Sequence, residues 1–126
     1  MTKIGIFRCR ENESKCPLTS CFKSLHEKMQ GFSGYQDTEL TGVFSLSDSA
    51  EDNVALAKIL QTKGAEAIHF VTCSFCQKGE GKTWHLGNGY CPHVDSFARR
   101  IADETGIPCV KGTAHLPEKY VPEVFK

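Results

Sequence analysis

The chain predicts an α/β fold built on a parallel sheet, and three observations carry that prediction. Short apolar runs alternate with amphipathic helical patterns, glycines close those patterns, and a cysteine or histidine follows three of the four runs. At 126 residues the chain is expected to be one domain, residues 1–126, large enough for a real core but too short for two.

The elements follow in order. KIGIF (3–7) is a short apolar run entering a polar loop, which reads as a buried strand ending near Cys9. After Cys16-Pro17, the residues Leu18, Phe22, Leu25 and Met29 recur at helical spacing. Thr19 or Ser20 is the expected N-cap of this helix and Gly31 its stop. Residues 31–41 show no sustained period and read as loop. GVFSL (42–46) is the second strand, with Ser47, Asp48 and Ser49 as candidate caps for a helix whose face is expected to be Ala55, Leu56, Ile59 and Leu60. Gly64 closes that helix.

AIHFVTC (67–73) is the most apolar strand and lacks clean alternation, as a strand covered on both faces should. Residues 74–92 form a long Gly-rich excursion with Trp84 and Tyr90 over the sheet edge. Val94, Phe97, Ala98, Ile101 and Ala102 make the clearest helix, ended by Gly106 and Pro108, and PCVKG (108–112) is the last strand. This alternation predicts a single-domain three-layer sandwich with a four-stranded parallel sheet in the flavodoxin-like order 2-1-3-4. In such a sheet the C-terminal ends of the strands open onto one edge, where ligands sit. Cys9, Cys73 and His115 fall at or just past those ends.

Composition narrows the function. Fifteen basic residues against fifteen acidic ones, with no basic block, argue against a nucleic-acid partner. The N-terminus turns charged at once, unlike a signal peptide, and no run approaches membrane-spanning length, so no membrane partner and a cytoplasmic location are expected. Seven cysteines and five histidines in a reducing compartment point to metal binding or thiol chemistry. Cys21 and Cys109 are expected to be buried small side chains, His69 a hydrogen-bonded core histidine, and His26 a surface residue; His85 is a loop residue near the site.

Thiolate and imidazole donors suit zinc. Cys73, Cys76, Cys91 and His93 alone could supply four ligands, but Cys91-x-His93 is too short for the second knuckle of a zinc ribbon. A sheet-edge site of Cys9, Cys73, Cys91 and His93, joined by Cys16 and His115, fits the topology better. The mixed donors favour zinc over an iron–sulfur cluster. The competing reading is a thiol oxidoreductase in which Cys73 and Cys76 cycle as a CxxC dithiol, although Gly79 and Gly81 follow where a helix should open. A scaffold domain with a decayed site is the third class. Gly81-Lys82-Thr83 does not complete a phosphate loop, because Cys76 stands where its first glycine belongs, and Lys82 is read as a solvated loop residue. Cys9 as a phosphatase-type nucleophile fails because Lys15 occupies the arginine position of C-x5-R.

The ordered set KIGIFRCRENESKCP, AIHFVTC, GYCPH and GTAH resembles the CGGC-domain family, small Cys- and His-rich proteins proposed to bind metal. The resemblance covers nearly the whole chain and implies a metal site using Cys9, Cys16, Cys73, Cys91, His93 and His115. One departure stands out: the window after the second strand, where the family's namesake motif is expected, reads Ser45-Leu46-Ser47-Asp48-Ser49. That leaves open fewer bound ions, service by Cys76 instead, or loss of the activity. Asp48 reads either as a helix cap or as a substitute oxygen ligand.

Overall fold

The structure is a computed structural model that describes residues 1–81 and 83–126, so the expectation for Lys82 lies outside it. In chain order the elements are β1 (Thr2–Arg8), α1 (Thr19–Glu27), β2 (Thr38–Ser45), α2 (Ala50–Thr62), β3 (Ala67–Phe70), β4 (Cys76–Lys78), β5 (Trp84–Leu86), α3 (Val94–Thr105), β6 (Cys109–Lys111) and β7 (Glu123–Phe125). No helix among the described residues is long and apolar enough to cross a membrane.

The sheet is mixed α/β architecture with five strands, ordered β2-β1-β3-β6-β7, not the four expected. β1 pairs in parallel with β2 and β3, and β3 with β6, whereas β7 runs antiparallel to β6. The fifth strand went unread because Glu123-Val124-Phe125 is three residues long and lies behind two prolines. The excursion over 74–92 also holds more order than expected, since β4 and β5 form an antiparallel hairpin with Cys76 opposite Leu86 and Lys78 opposite Trp84.

Alternation along the strands sorts the core into two halves. Ile4 and Ile6 of β1 pack with Leu25 and Cys21 of α1 and with Phe32 on one face. Phe7, Ile68 and Phe70 pack with α2 and α3 on the other, through Val54, Ala57, Leu60, Phe97, Ala98 and Ile101. Each fully buried aliphatic or aromatic side chain contributes about 1.5–3 kcal/mol, which is why these faces hold the layers together. The rings of Phe7 and Phe70 stack at 5.6 Å across neighbouring strands. Gly5 lets α2 come close, because a Cβ there would meet Leu60 Cδ1 at 2.9 Å.

Several local readings change. α1 has no side-chain cap; the chain enters it from Leu18 at φ 65° and leaves at Lys28 at φ 54°, before Gly31. β2 begins at Thr38, inside the stretch expected to be loop. α2 buries Asn53, Val54, Ala57 and Leu60 and leaves Ile59 exposed, a rotation from the expected face. Ser49 caps α2 by accepting from Asp52 N at 3.3 Å, and Gly106 closes α3 at φ 75°, both as expected.

His69 is the core histidine the sequence predicts. Its ring is fully buried against Phe32, with ring centroids 4.4 Å apart. Nδ1 donates to Gly112 O at 2.8 Å, which leaves Nε2 to accept from the Tyr35 hydroxyl at 2.7 Å. Burial pushes its pKa down to about 4. The unfolded chain therefore takes up a proton near pH 6.5 that the folded chain refuses until about pH 4, so stability present above pH 6.5 is lost as pH falls through that window, by about 3 kcal/mol in all. Urea midpoints should fall between pH 6.5 and 5 for the wild type and flatten there for His69→Phe; identical slopes would contradict the assignment. Gly31 donates its N–H to Thr113 O at 2.8 Å, and a Cβ on it would lie 2.6 Å from Gly112 C. Gly31→Ala should lower unfolding stability by about 1–3 kcal/mol, read from the urea midpoint.

Candidate functional site

The site begins with backbone pairing. Val71 N donates to Phe7 O at 3.0 Å and Leu46 N to Arg8 O at 2.8 Å, so the chain ends its β1, β2 and β3 pairings at one level. Just beyond that level Cys9 follows β1 and Cys73 lies in a single 3-10 turn, Thr72–Ser74, after β3. Their sulfurs stand 2.9 Å apart.

The turns that carry these sulfurs are pinned from several sides. Arg8 Nη2 donates to Asn12 O at 3.2 Å and to Cys16 O at 2.7 Å, which folds the loop after Cys9 back on the strand end. Ser74 Oγ donates to Val71 O at 2.6 Å. Thr72 and Thr113 bond reciprocally, each backbone N–H to the other's Oγ1, at 3.3 and 3.2 Å. The returning excursion lies along the same turn, with Tyr90 N donating to Cys73 O at 3.0 Å and Cys91 N to Ser74 O at 2.9 Å. Gly89 permits that approach, since a Cβ there would run into the backbone of Ser74 and Phe75.

Contact between the two thiols sets their protonation. The S–H of Cys73 holds Cys9 below the ordinary thiol range; burial opposes this and the backbone N–H of Asn12 assists it. Cys73 moves upward because Cys9 claims its proton, and burial adds to that. The pair thus favours one thiolate, on Cys9, and one thiol, on Cys73. Asn12 Nδ2 points at Cys73 Sγ from 4.0 Å.

The two sulfurs form a wall between two concave regions. On the Cys9 side, a cleft of about 260 Å³ is lined by Cys9, Glu11, Asp48, Cys91 and His93 among others. On the Cys73 side lie two adjoining cavities of about 220 and 610 Å³, which share Asn12, Lys15, Cys16, Cys73 and Trp84. His115 lines the smaller one and stacks on Trp84 at 5.3 Å between centroids, and burial followed by Lys78 pushes its pKa down.

The expected ligands therefore divide. Cys9, Cys91 and His93 share one side, with His93 at the start of α3 and Cys91 held up in pKa by burial. Cys16, Cys73 and His115 share the other, where Cys16 Sγ already accepts from Leu18 N at 3.4 Å. Cys76 touches the larger cavity but is 2% exposed in the core beside α3, and burial pushes its thiol up to about 11. The sulfur in contact with Cys73 is that of Cys9. A Cys73/Cys76 dithiol is not what the structure assembles, because β4 carries Cys76 into the opposite half of the core. Cys21 and Cys109 are buried as expected; Cys21 Sγ lies 3.1 Å from Thr113 Oγ1 and burial pushes Cys109 up to about 12. His26 and His85 are exposed.

Among the described residues, no group of three or more His, Cys, Asp or Glu side chains stands ready to hold a metal ion. The donor chemistry nonetheless fits a thiophilic ion, with Cys9 and Cys73 in contact and Cys91 and His93 lining the cleft beside Cys9. Two sulfurs on one zinc stand about 3.8 Å apart, given Zn–S bonds of about 2.3 Å, so the pair is tighter than a zinc-bound pair. Asn12 and Thr113 were missed as site residues. Thr113 sits in the GTAH motif, which was read only for its histidine, and Asn12 lies in the loop that Cys9 opens.

The window Ser45–Ser49 borders the Cys9 cleft through Leu46, Ser47 and Asp48. Asn53 fixes it, accepting from Ser47 N at 2.7 Å and donating to Ser47 O at 3.0 Å. No C-G-G-C run occurs in the chain. The chain is similar to the uncharacterised protein MJ0582 of Methanocaldococcus jannaschii, with 32% identity over an alignment 126 positions long that spans 93% of this chain and 90% of that protein. No solved structure matches the chain. The CGGC domain family matches over residues 3–114, from the start of β1 past the Thr113 that braces Cys73, and the chain belongs to that family.

Proposed function

We propose that the chain binds a transition metal ion at the C-terminal edge of its sheet, zinc by the chemistry of the donors, through Cys9 and Cys73 with Cys91 and His93 as further ligands. The observation that supports this is the Cys9–Cys73 contact at 2.9 Å, where one sulfur is already disposed to be a thiolate. Metal ligation requires the thiolate, so a pair that gives up its first proton readily lowers the free energy of binding. Mixed sulfur and imidazole donors favour zinc over an iron–sulfur cluster.

Each residue has a role in this reading. Cys9 and Cys73 tie the loops after β1 and β3 to one ion. Cys91 is carried beside them by its backbone bond to Ser74, and His93 reaches the cleft from the N-terminus of α3. Asp48 and Glu11 line the same cleft and offer oxygen donors. Cys16, Cys76 and His115 take no part in this ligand set, because they line the other side of the sulfur pair. A zinc ion held there would supply a cross-link between loops and, with one coordination position open, a Lewis acid. Seven free thiols suit a reducing, cytoplasmic setting. The balanced charge suits no nucleic-acid partner.

Metal content of protein purified without a chelating tag tests the proposal. Wild type and Cys109→Ser should carry near-stoichiometric metal, whereas Cys73→Ser and Cys91→Ser should lose most of it. Substoichiometric metal in wild type supplied with zinc, or retention in Cys73→Ser, would overturn the ligand assignment.

A further inference from the structure

Two sulfurs in contact, one of them reachable from a large cavity, are equipped for a second chemistry. We infer that Cys9 and Cys73 form a dithiol that exchanges with small anionic disulfides entering the cavity on the Cys73 side. This activity needs no metal. It uses the same sulfurs as the proposed metal site, so a bound ion would protect them from it.

Three geometric observations carry the inference. The first is the contact itself: from 2.9 Å, closure to a disulfide of about 2.05 Å takes less than 1 Å of movement. The second is an asymmetry of access. Cys9 is 1% exposed, while Cys73 is half-buried and lines both cavities on its side. An incoming molecule on that side meets Cys73 first, with Cys9 behind it as the resolving thiol. The larger cavity, at about 610 Å³, lies within the range of small-molecule sites.

The third observation is charge. The described residues lining these two cavities include Lys15 and Lys78 but no Asp or Glu. The cleft on the Cys9 side instead carries two carboxylates, Glu11 and Asp48, against one cation, Arg10. An anionic ligand is therefore drawn to the Cys73 side in preference to the other. Trp84 and Tyr90 give the larger cavity apolar walls for the body of such a ligand.

The exchange balances in two steps. Cys73 Sγ passes its proton to the Cys9 thiolate as it attacks one sulfur of the small disulfide, whose S–S bond breaks; one half leaves as a thiolate and takes that proton from Cys9, and the other stays on Cys73 as a mixed disulfide. The Cys9 thiolate then attacks Cys73 Sγ, forming the Cys9–Cys73 bond and expelling the second half. The small disulfide gains two electrons and two protons, and the protein dithiol loses them. Excess small thiol runs both steps backward.

Intact mass and peptide mapping after exposure of the reduced, metal-depleted protein to oxidised glutathione test this. Wild type should lose two hydrogen masses and yield a Cys9–Cys73 cross-linked peptide. Cys9→Ser should stop with one glutathione on Cys73, while Cys76→Ser and Cys16→Ser should cross-link as wild type does. Cystamine, a cationic disulfide, should react several-fold more slowly than oxidised glutathione, and the gap should shrink in Lys15→Gln/Lys78→Gln. Cross-linking through Cys76 or Cys16, or no cross-link in wild type, would overturn the dithiol; equal rates for the two probes would overturn the anionic substrate class. Metal content of the same preparation before depletion keeps the two proposals separate: a cross-linking protein that never carried metal overturns the metal reading alone, and a metal-carrying protein that does not cross-link after depletion overturns this one alone.

Discussion

Parallel pairing of β1 with β3 is the constraint on which the rest of the site depends. Ile4 through Phe7 lie beside Ala67 through Phe70 in register, and the pairing closes with Val71 N on Phe7 O. Because the strands run the same way, both leave the sheet at the same edge, and the cysteine that follows each has nowhere to go but towards the other. Antiparallel pairing would place one of them at the far end. Sulfur contact is thus a consequence of strand direction, maintained by the packing of Phe7 on Phe70 and of Ile4 and Ile6 on α1.

That origin explains why so many hydrogen bonds converge on two short turns. Exposed loops fray, yet a thiol pair is useful only if its separation is held. Arg8 fastens one turn through carbonyls of its own loop; Thr72 and Thr113 fasten the other to the end of β6. The backbone of residues 90 and 91 is zipped to residues 73 and 74. The result is a wall with a carboxylate-bearing cleft on one side and a lysine-bearing cavity on the other. The metal ligation proposed here draws on the first side and the proposed disulfide exchange on the second, and the two would compete for the same two sulfurs.

Much of the architecture was legible in the sequence because apolar periodicity reports burial directly. The runs 3–7 and 67–73 and the helix from Val94 were plain, and the alternation of strands with helices pointed to a central, mostly parallel sheet. β7 was not legible, since three residues that pair at an edge need no apolar run. Nor was the buried face of α2, where Asn53 is buried for its hydrogen bonds to Ser47 while Ile59 is exposed. At the site, the positions of Cys9 and Cys73 came from topology, but their mutual contact and the separation of Cys76 did not. A CxxC spacing suggests a partner three residues away. Here a single 3-10 turn followed by β4 carries Cys76 to the other half of the core, and the true neighbour lies 64 residues back.

The central claim is that the Cys9–Cys73 pair is the chemical centre of this protein. Cobalt(II) added to the reduced protein reads that claim directly, because thiolate–cobalt charge-transfer absorption appears only when cysteine sulfur binds the ion. Strong charge-transfer bands in the wild type, lost in Cys9→Ser and in Cys73→Ser and retained in Cys76→Ser, are the predicted result. Bands that survive loss of Cys9, or that vanish with Cys76, would contradict the account.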